Sequence, residues 1–155
     1  MILAYRMVRL IEKHSHELVL SLQEKLEQSD RCPSYRNVPR AELGKAVGEL
    51  YQHLGEWLLG KTEADIQRLF EEIGARRAEQ GVPLCELLWC LALVKENLLE
   101  YLRRGGEEEQ MAELFGELEV LQLLEQFFDH ALYFAALGYE QALRPVLAHA
   151  AAAGK

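Results

Sequence analysis

Two histidines and a short box are the side chains in this sequence whose type and spacing could do chemistry. Ser15-His16-Glu17-Leu18 copies the core of a phosphoacceptor box, in which an exposed helical His takes a phosphoryl group. The usual basic residue and Pro do not follow it, because Val19-Leu20-Ser21-Leu22 do, and no Gly-rich ATP-binding segment accompanies it. A solvated helical His fits His16 as well. His14 shares the stripe Met7, Ile11, His14, Leu18 and Leu22, which places its imidazole on a buried helix face. His130 repeats the situation on the face formed by Leu123, Phe127, His130, Phe134 and Leu137. Of the chain's 2 Trp, 6 Tyr and 5 Phe, five fall between Phe127 and Tyr139. That concentration suits a pocket for haem or another apolar ligand built on His14, Phe127, His130 and Phe134, and it suits equally a packed core or a dimer seam.

Other chemistries lack their patterns. There is no HExxH and no paired ExxH, and His14 and His16 stand about 200° apart on one helix, so no metal site is expected. No Ser–His–Asp or Cys–His set can be assembled from helical spacing, and no catalytic residue is expected. Cys32, Cys85 and Cys90 are odd in number and form no CxxC, as in a reducing compartment. Cys85 and Cys90 lie about 140° apart around one helix and cannot bridge. Cys32-Pro33 matches a dipeptide of peripheral haem sites but reads as readily as a turn.

The elements that carry these residues are all helical. The chain has 155 residues, 50% of them hydrophobic and 27% charged, with 17 basic against 25 acidic residues and a formal charge of -8. This excludes a disordered or disulfide-scaffold chain and disfavours binding to nucleic acid. No apolar run reaches roughly 18 residues, so neither a membrane span nor a cleavable leader is expected, and the expected location is cytoplasmic.

Apolar periodicity predicts one helix over 2–28, ended by Ser29-Asp30-Arg31-Cys32-Pro33. A second, opened by Pro39, carries Leu43, Val47, Leu50, Leu54 and Trp57 to a stop at Gly60. Thr62 and Asp65 resemble a capping box for a third, ended by Gly81. Pro83 opens a fourth that closes at Gly105-Gly106. A fifth starts at Glu107-Glu108-Glu109 and runs beyond Tyr139 to a kink or end at Pro145. The fold expected is an all-α bundle of five or six helices with a long C-terminal helix, one domain over 1–147 and an Ala-rich tail or linker start over 148–155. At about 1.5 Å per residue the last helix exceeds about 45 Å. Its adjoining apolar stripes include Leu121, Leu124, Phe128 and Leu132, more than four neighbouring helices easily cover. These four residues are the expected homodimer seam, formed by the fourth and fifth helices.

The run from Gly74 through Gly81-Val82-Pro83-Leu84-Cys85-Glu86-Leu87 to Trp89, followed by Lys95-Glu96-Asn97-Leu98, resembles the N-terminal domain of RsbRD-type RsbT co-antagonist proteins. Pro33-Ser34-Tyr35, His53-Leu54-Gly55-Glu56-Trp57-Leu58, Phe127-Phe128-Asp129, Tyr133 and Gly138-Tyr139 extend the likeness over residues 7 to 143. The resemblance implies a non-catalytic signalling input domain without a cofactor. Such a domain would be similar in role to the haem-free, globin-like input domains of related RsbR proteins, which dimerise and feed an output domain. No kinase core, STAS-type domain or DNA-binding segment follows Leu147, so a kinase, STAS-type or transcription-regulator output is expected from outside this sequence. Haem or apolar-ligand binding through His130 or His14 stands as the alternative.

Overall fold

The computed structural model describes the backbone of residues 2–104 and 111–153 and the side chains of 4–104 and 116–144. Among them are six α-helices and no strand: α1 (Ile2–Lys13), α2 (Ser15–Gln28), α3 (Arg40–Gln52), α4 (Glu63–Glu79), α5 (Leu84–Arg104) and α6 (Met111–Ala153). A 3-10 turn spans Pro33–Asn37, and a π turn spans Glu56–Gly60.

Three boundaries differ from the sequence expectation. The first helix is two. At His14 (φ -101°, ψ 20°) the chain leaves helical geometry, and the His14 amide is shared between the carbonyls of Leu10 and Ile11, each at 3.1 Å. The resulting bend lets α1 pack on α6 while α2 packs on α3 and α5. The second helix stops at Gln52, and its expected last turn is wider: the Lys61 amide reaches back five residues to the carbonyl of Glu56. Pro145 does not end α6, which continues through it to Ala153. Proline forfeits one backbone hydrogen bond, and the neighbouring turns remain helical. The domain boundary expected at residue 147 lies inside this helix. The expected break at Gly105-Gly106 and the Glu107–Glu109 start lie outside the described residues.

The capping box is formed: the Asp65 amide donates to Thr62 Oγ1 at 3.2 Å and the Thr62 amide donates to Asp65 Oδ2 at 3.0 Å. An N-cap of this kind contributes about 1 kcal/mol. The Thr62 backbone amide, with its hydroxyl, holds the Asp65 carboxyl below its ordinary range. Gly81, at φ 74°, turns the chain between α4 and α5 in a conformation that L side chains resist.

The long α6 is the spine. Its principal partner is α4, with α1 and α5 also against it, while α2 links α3 to α5. Ile11, Leu22, Leu54, Leu98, Val120 and Leu124 meet in the fully buried centre. Asn97 sits among them and ties three helices. Its Nδ2 donates to the Leu18 carbonyl at 2.8 Å and to the Tyr51 hydroxyl at 3.3 Å, and its Oδ1 accepts from Ser21 at 3.1 Å and Lys25 at 2.6 Å. Tyr51 passes its own proton to the Val94 carbonyl at 2.9 Å. A buried amide so completely partnered fixes the register of α2, α3 and α5 against one another.

Candidate functional site

The aromatic residues do assemble, as a filled cluster. Phe127 stands edge-on to Trp57, Phe70 and Phe128 at centroid distances of 6.3, 5.7 and 5.2 Å. The π turn delivers Trp57 into this group, which is why the widened backbone sits where it does. All four rings are buried, so the cluster works as core, each large side chain contributing about 1.5–3 kcal/mol by leaving water.

The histidines do not complete it. His130 is 40% exposed, with Nδ1 3.5 Å from Glu63 Oε1 and its ring edge-on to Phe134 at 6.4 Å. It closes the outer end of the α4–α6 contact. The apolar stripe predicts His14 on a buried face, and here the structure differs. The bend at its own backbone swings it outward, so its side chain is 35% exposed, 3.8 Å from Glu17 and 6.0 Å from the Tyr101 ring. Of the expected ligand set, Phe127 and Phe134 are packed, while His14 and His130 sit at half-exposed positions with carboxylate neighbours. This geometry gives the haem alternative no support.

The expected dimer residues divide in the same way. Leu124 and Phe128 are 0% and 1% exposed within the single chain. Within the chain α6 turns this stripe inward, where its own neighbours cover it. Leu121 and Leu132 are half-buried, and Leu118 and Tyr133 on the same helix are 52% and 62% exposed.

A second cluster forms around the Gly81-Val82-Pro83 corner. Glu86, one turn into α5, is buried and accepts from the Ser34 amide at 2.8 Å and the Ser34 hydroxyl at 2.7 Å, thereby capping the 3-10 turn. The Tyr139 hydroxyl donates to the Val82 carbonyl at 2.6 Å and ties α6 to the same corner. Arg77, also buried, lies over the Tyr35 ring at 5.7 Å and donates to Glu42 Oε1 at 3.2 Å and Gln80 Oε1 at 2.8 Å. Arg76, bonded to Glu42 at 2.9 Å, holds that carboxyl below its ordinary range. Burial pushes the Cys32 thiol up to about 11 and the Cys90 thiol up to about 12, so neither offers a thiolate at neutral pH. Cys32 instead donates weakly to the Glu86 carbonyl at 3.6 Å, while Cys85 is exposed.

Sequence reading missed Glu86, Arg77 and Asn97 as buried polar residues. The available signal was their position on apolar stripes between core leucines, where a charge or amide must find a partner. Among the described residues no group of three His, Cys, Asp or Glu side chains could hold a metal ion. No described helix is long and apolar enough to cross a membrane.

Three separated stretches, Pro33-Ser34-Tyr35, Gly81 to Glu86 and Gly138-Tyr139, thus converge on one corner, and all three are among the stretches that carry the family resemblance. A family model, the RsbT co-antagonist protein rsbRD N-terminal domain, matches residues 20–153. The chain belongs to this family. The RsbRD N-terminal domain described here is also similar in fold to the crystal structure of the sporulation inhibitor pXO2-61 from Bacillus anthracis. The TM-score is 0.68 at 18% identity, over 87% of this chain and 96% of that one. No curated protein matches the RsbRD domain significantly in sequence.

Proposed function

We propose that this chain is a non-catalytic sensory input domain of a bacterial signalling system. In this reading it acts in the cytoplasm as a homodimer and sets the activity of an attached or partner output of the kinase, STAS or transcription-regulator kind. The family match over residues 20–153 is the observation that carries the reading. The shape of α6 supports the rest. At about 1.5 Å per residue its 43 residues extend roughly 64 Å, a rigid element long enough to carry a displacement from the bundle toward its C-terminal end. The part-exposed Leu118, Leu121, Leu132 and Tyr133 lie on one side of it, interleaved with Glu125 and Asp129, a mixed surface of the kind found at interfaces between soluble copies.

Light scattering at micromolar concentration tests the dimer: twice the chain mass of 17.7 kDa supports it, and the mass of one chain sinks it. Replacing the input domain of a stressosome-type regulator by this chain tests the signalling role. Output that depends on the graft and on the Leu121 face is expected, and output indifferent to both overturns the reading.

A further inference from the structure

Polar and steric locks sort the helices into two units. In one, the Asn97 network joins α2, α3 and α5, and the Glu86 carboxylate adds the turn at Pro33–Asn37 through Ser34. In the other, α4 and α6 cross so closely that a β-carbon on Gly74 or Gly138 would strike the opposite backbone, and α1 packs on α6. Directional bonds and backbone-to-backbone contacts allow few relative placements, so each unit is stiff within itself.

The chain passes between the units where its backbone leaves regular α-helix. From α1 to α2 it does so at the His14 bend, from α3 to α4 at the π turn Glu56–Gly60, and from α4 to α5 at Gly81, with φ 74°. Side-chain bonds between the units gather at one end. Beside the Gly81 corner, Glu42 of α3 accepts from Arg77 at 3.2 Å and Gln80 at 3.0 Å, and the Tyr139 hydroxyl donates to the Val82 carbonyl at 2.6 Å. Roughly 21 Å back along α6 from Tyr139, by the helical rise per residue, Lys95 of α5 meets Glu125 at 3.1 Å on a rim partly open to water. Between these points the units meet in the buried apolar centre, with Leu98 on one side and Val120 and Leu124 on the other. Apolar contact has no preferred direction, so it resists separation more than sliding.

We propose that the two units pivot about the corner. The bonds at Glu42, Arg77 and Tyr139 form the pivot, the His14 bend and the π turn absorb the backbone change, and Lys95 with Glu125 acts as the latch. An ion pair on a wet rim is weak, so this latch biases two arrangements without freezing either. What the motion is used for rests on the signalling reading. With α6 in one unit and α2 and α3 in the other, whatever binds one arrangement better turns α6 against the rest of the bundle.

Spin-label distances in the whole chain test the motion. On a Cys85→Ser background, in which the remaining Cys32 and Cys90 are buried, paired cysteines at exposed positions carry the labels. Each labelled protein is diluted into a large excess of unlabelled chain, so that distances between copies drop out. His16→Cys with Gln122→Cys spans the far end, and Ala41→Cys with Gln141→Cys spans the corner. Lys45→Cys with Glu96→Cys and Arg68→Cys with Gln126→Cys lie within the two units. The far-end distribution should be about 2 Å or more broader than the other three, the scale of shifts between packed helices. Lys95→Met should displace it toward longer distance while the corner pair stays unchanged. Four results overturn the proposal: a far-end distribution no broader than the within-unit pairs, one that Lys95→Met leaves unchanged, a corner pair that spreads as much, or within-unit pairs that spread as much. Output indifferent to the grafted chain would instead remove the signalling reading and leave the pivot standing.

Discussion

The carbonyl oxygen of Ala135 occupies the place where a side chain at residue 74 would begin: a β-carbon built on Gly74 would lie 2.0 Å from it. The relation is reciprocal along the same crossing, where a β-carbon on Gly138 would lie 2.2 Å from the Glu71 carbonyl oxygen. Helices α4 and α6 therefore meet backbone to backbone, and neither wall of the contact is a side chain that could turn aside.

Gly74→Ala and Gly138→Ala should accordingly each destabilise the fold by about 3 kcal/mol or more, since overpacking here must push α4 and α6 away from each other. Gly48→Ala is the control. Its new methyl meets only an ordinary contact, and relief of glycine's backbone entropy in a helix should raise stability by about 0.5–1 kcal/mol. Urea midpoints of the three variants check both signs.

Asn97→Leu should cost about 2 kcal/mol or more. It keeps the apolar bulk but leaves the Tyr51 hydroxyl, Ser21 and Lys25 short of a partner at the centre of the molecule. Tyr51→Phe removes one end of the same chain of bonds and should cost less, about 1 kcal/mol. Equal midpoints for wild type and Asn97→Leu would show that the network adds nothing to stability.

What could be read from the chain was periodicity and punctuation. Thr62 with Asp65, Gly81 and the reach of α6 were legible because a cap, a left-handed turn and an apolar repeat each announce themselves locally. The bend at His14 was not, because it has neither Pro nor Gly: it arises from the different partners of α1 and α2, which only the folded chain defines. The same holds for the Phe127 face. Spacing could place Leu124 and Phe128 on a stripe, but which stripe turns toward α4 depends on Gly74 and Gly138, whose close approach gives no periodic signal.

Thiol accessibility offers a direct check on the corner. With a maleimide at neutral pH the folded protein should label quickly at Cys85 alone. Cys32 and Cys90, buried and protonated with thiols pushed up to about 11 and about 12, should react only on unfolding. Mass spectrometry reads one adduct before denaturant and three after it.

Acid should loosen the contact between α3 and α4. Glu42 is held below its ordinary value chiefly by the hydrogen bond from Arg76, with Arg77 and Gln80 adding to it. A carboxyl lowered in the folded state contributes stability that is fully present above its unfolded value, about 4.3, and is lost as pH falls through the folded value. Glu42→Gln should thus be clearly less stable than wild type at pH 7, with the gap narrowing at pH 3. A gap that stays constant would show that Glu42 contributes by packing rather than by charge.

Two leucines three positions apart distinguish a seam from a core. Leu124 is fully buried within the chain, so Leu124→Ala should remove about 2–5 kcal/mol through lost burial and the cavity left behind, whatever the oligomeric state. Leu121 is half-buried on the outer side of α6, where a carboxylate can remain hydrated in a lone chain but loses that hydration when a second copy closes over it. Leu121→Glu should therefore halve the mass seen by light scattering while leaving the denaturation midpoint of the separated chain near that of a wild-type monomer obtained by dilution. If Leu121→Glu remains a dimer, the copies meet through another face, and if it unfolds as Leu124→Ala does, Leu121 belongs to the core.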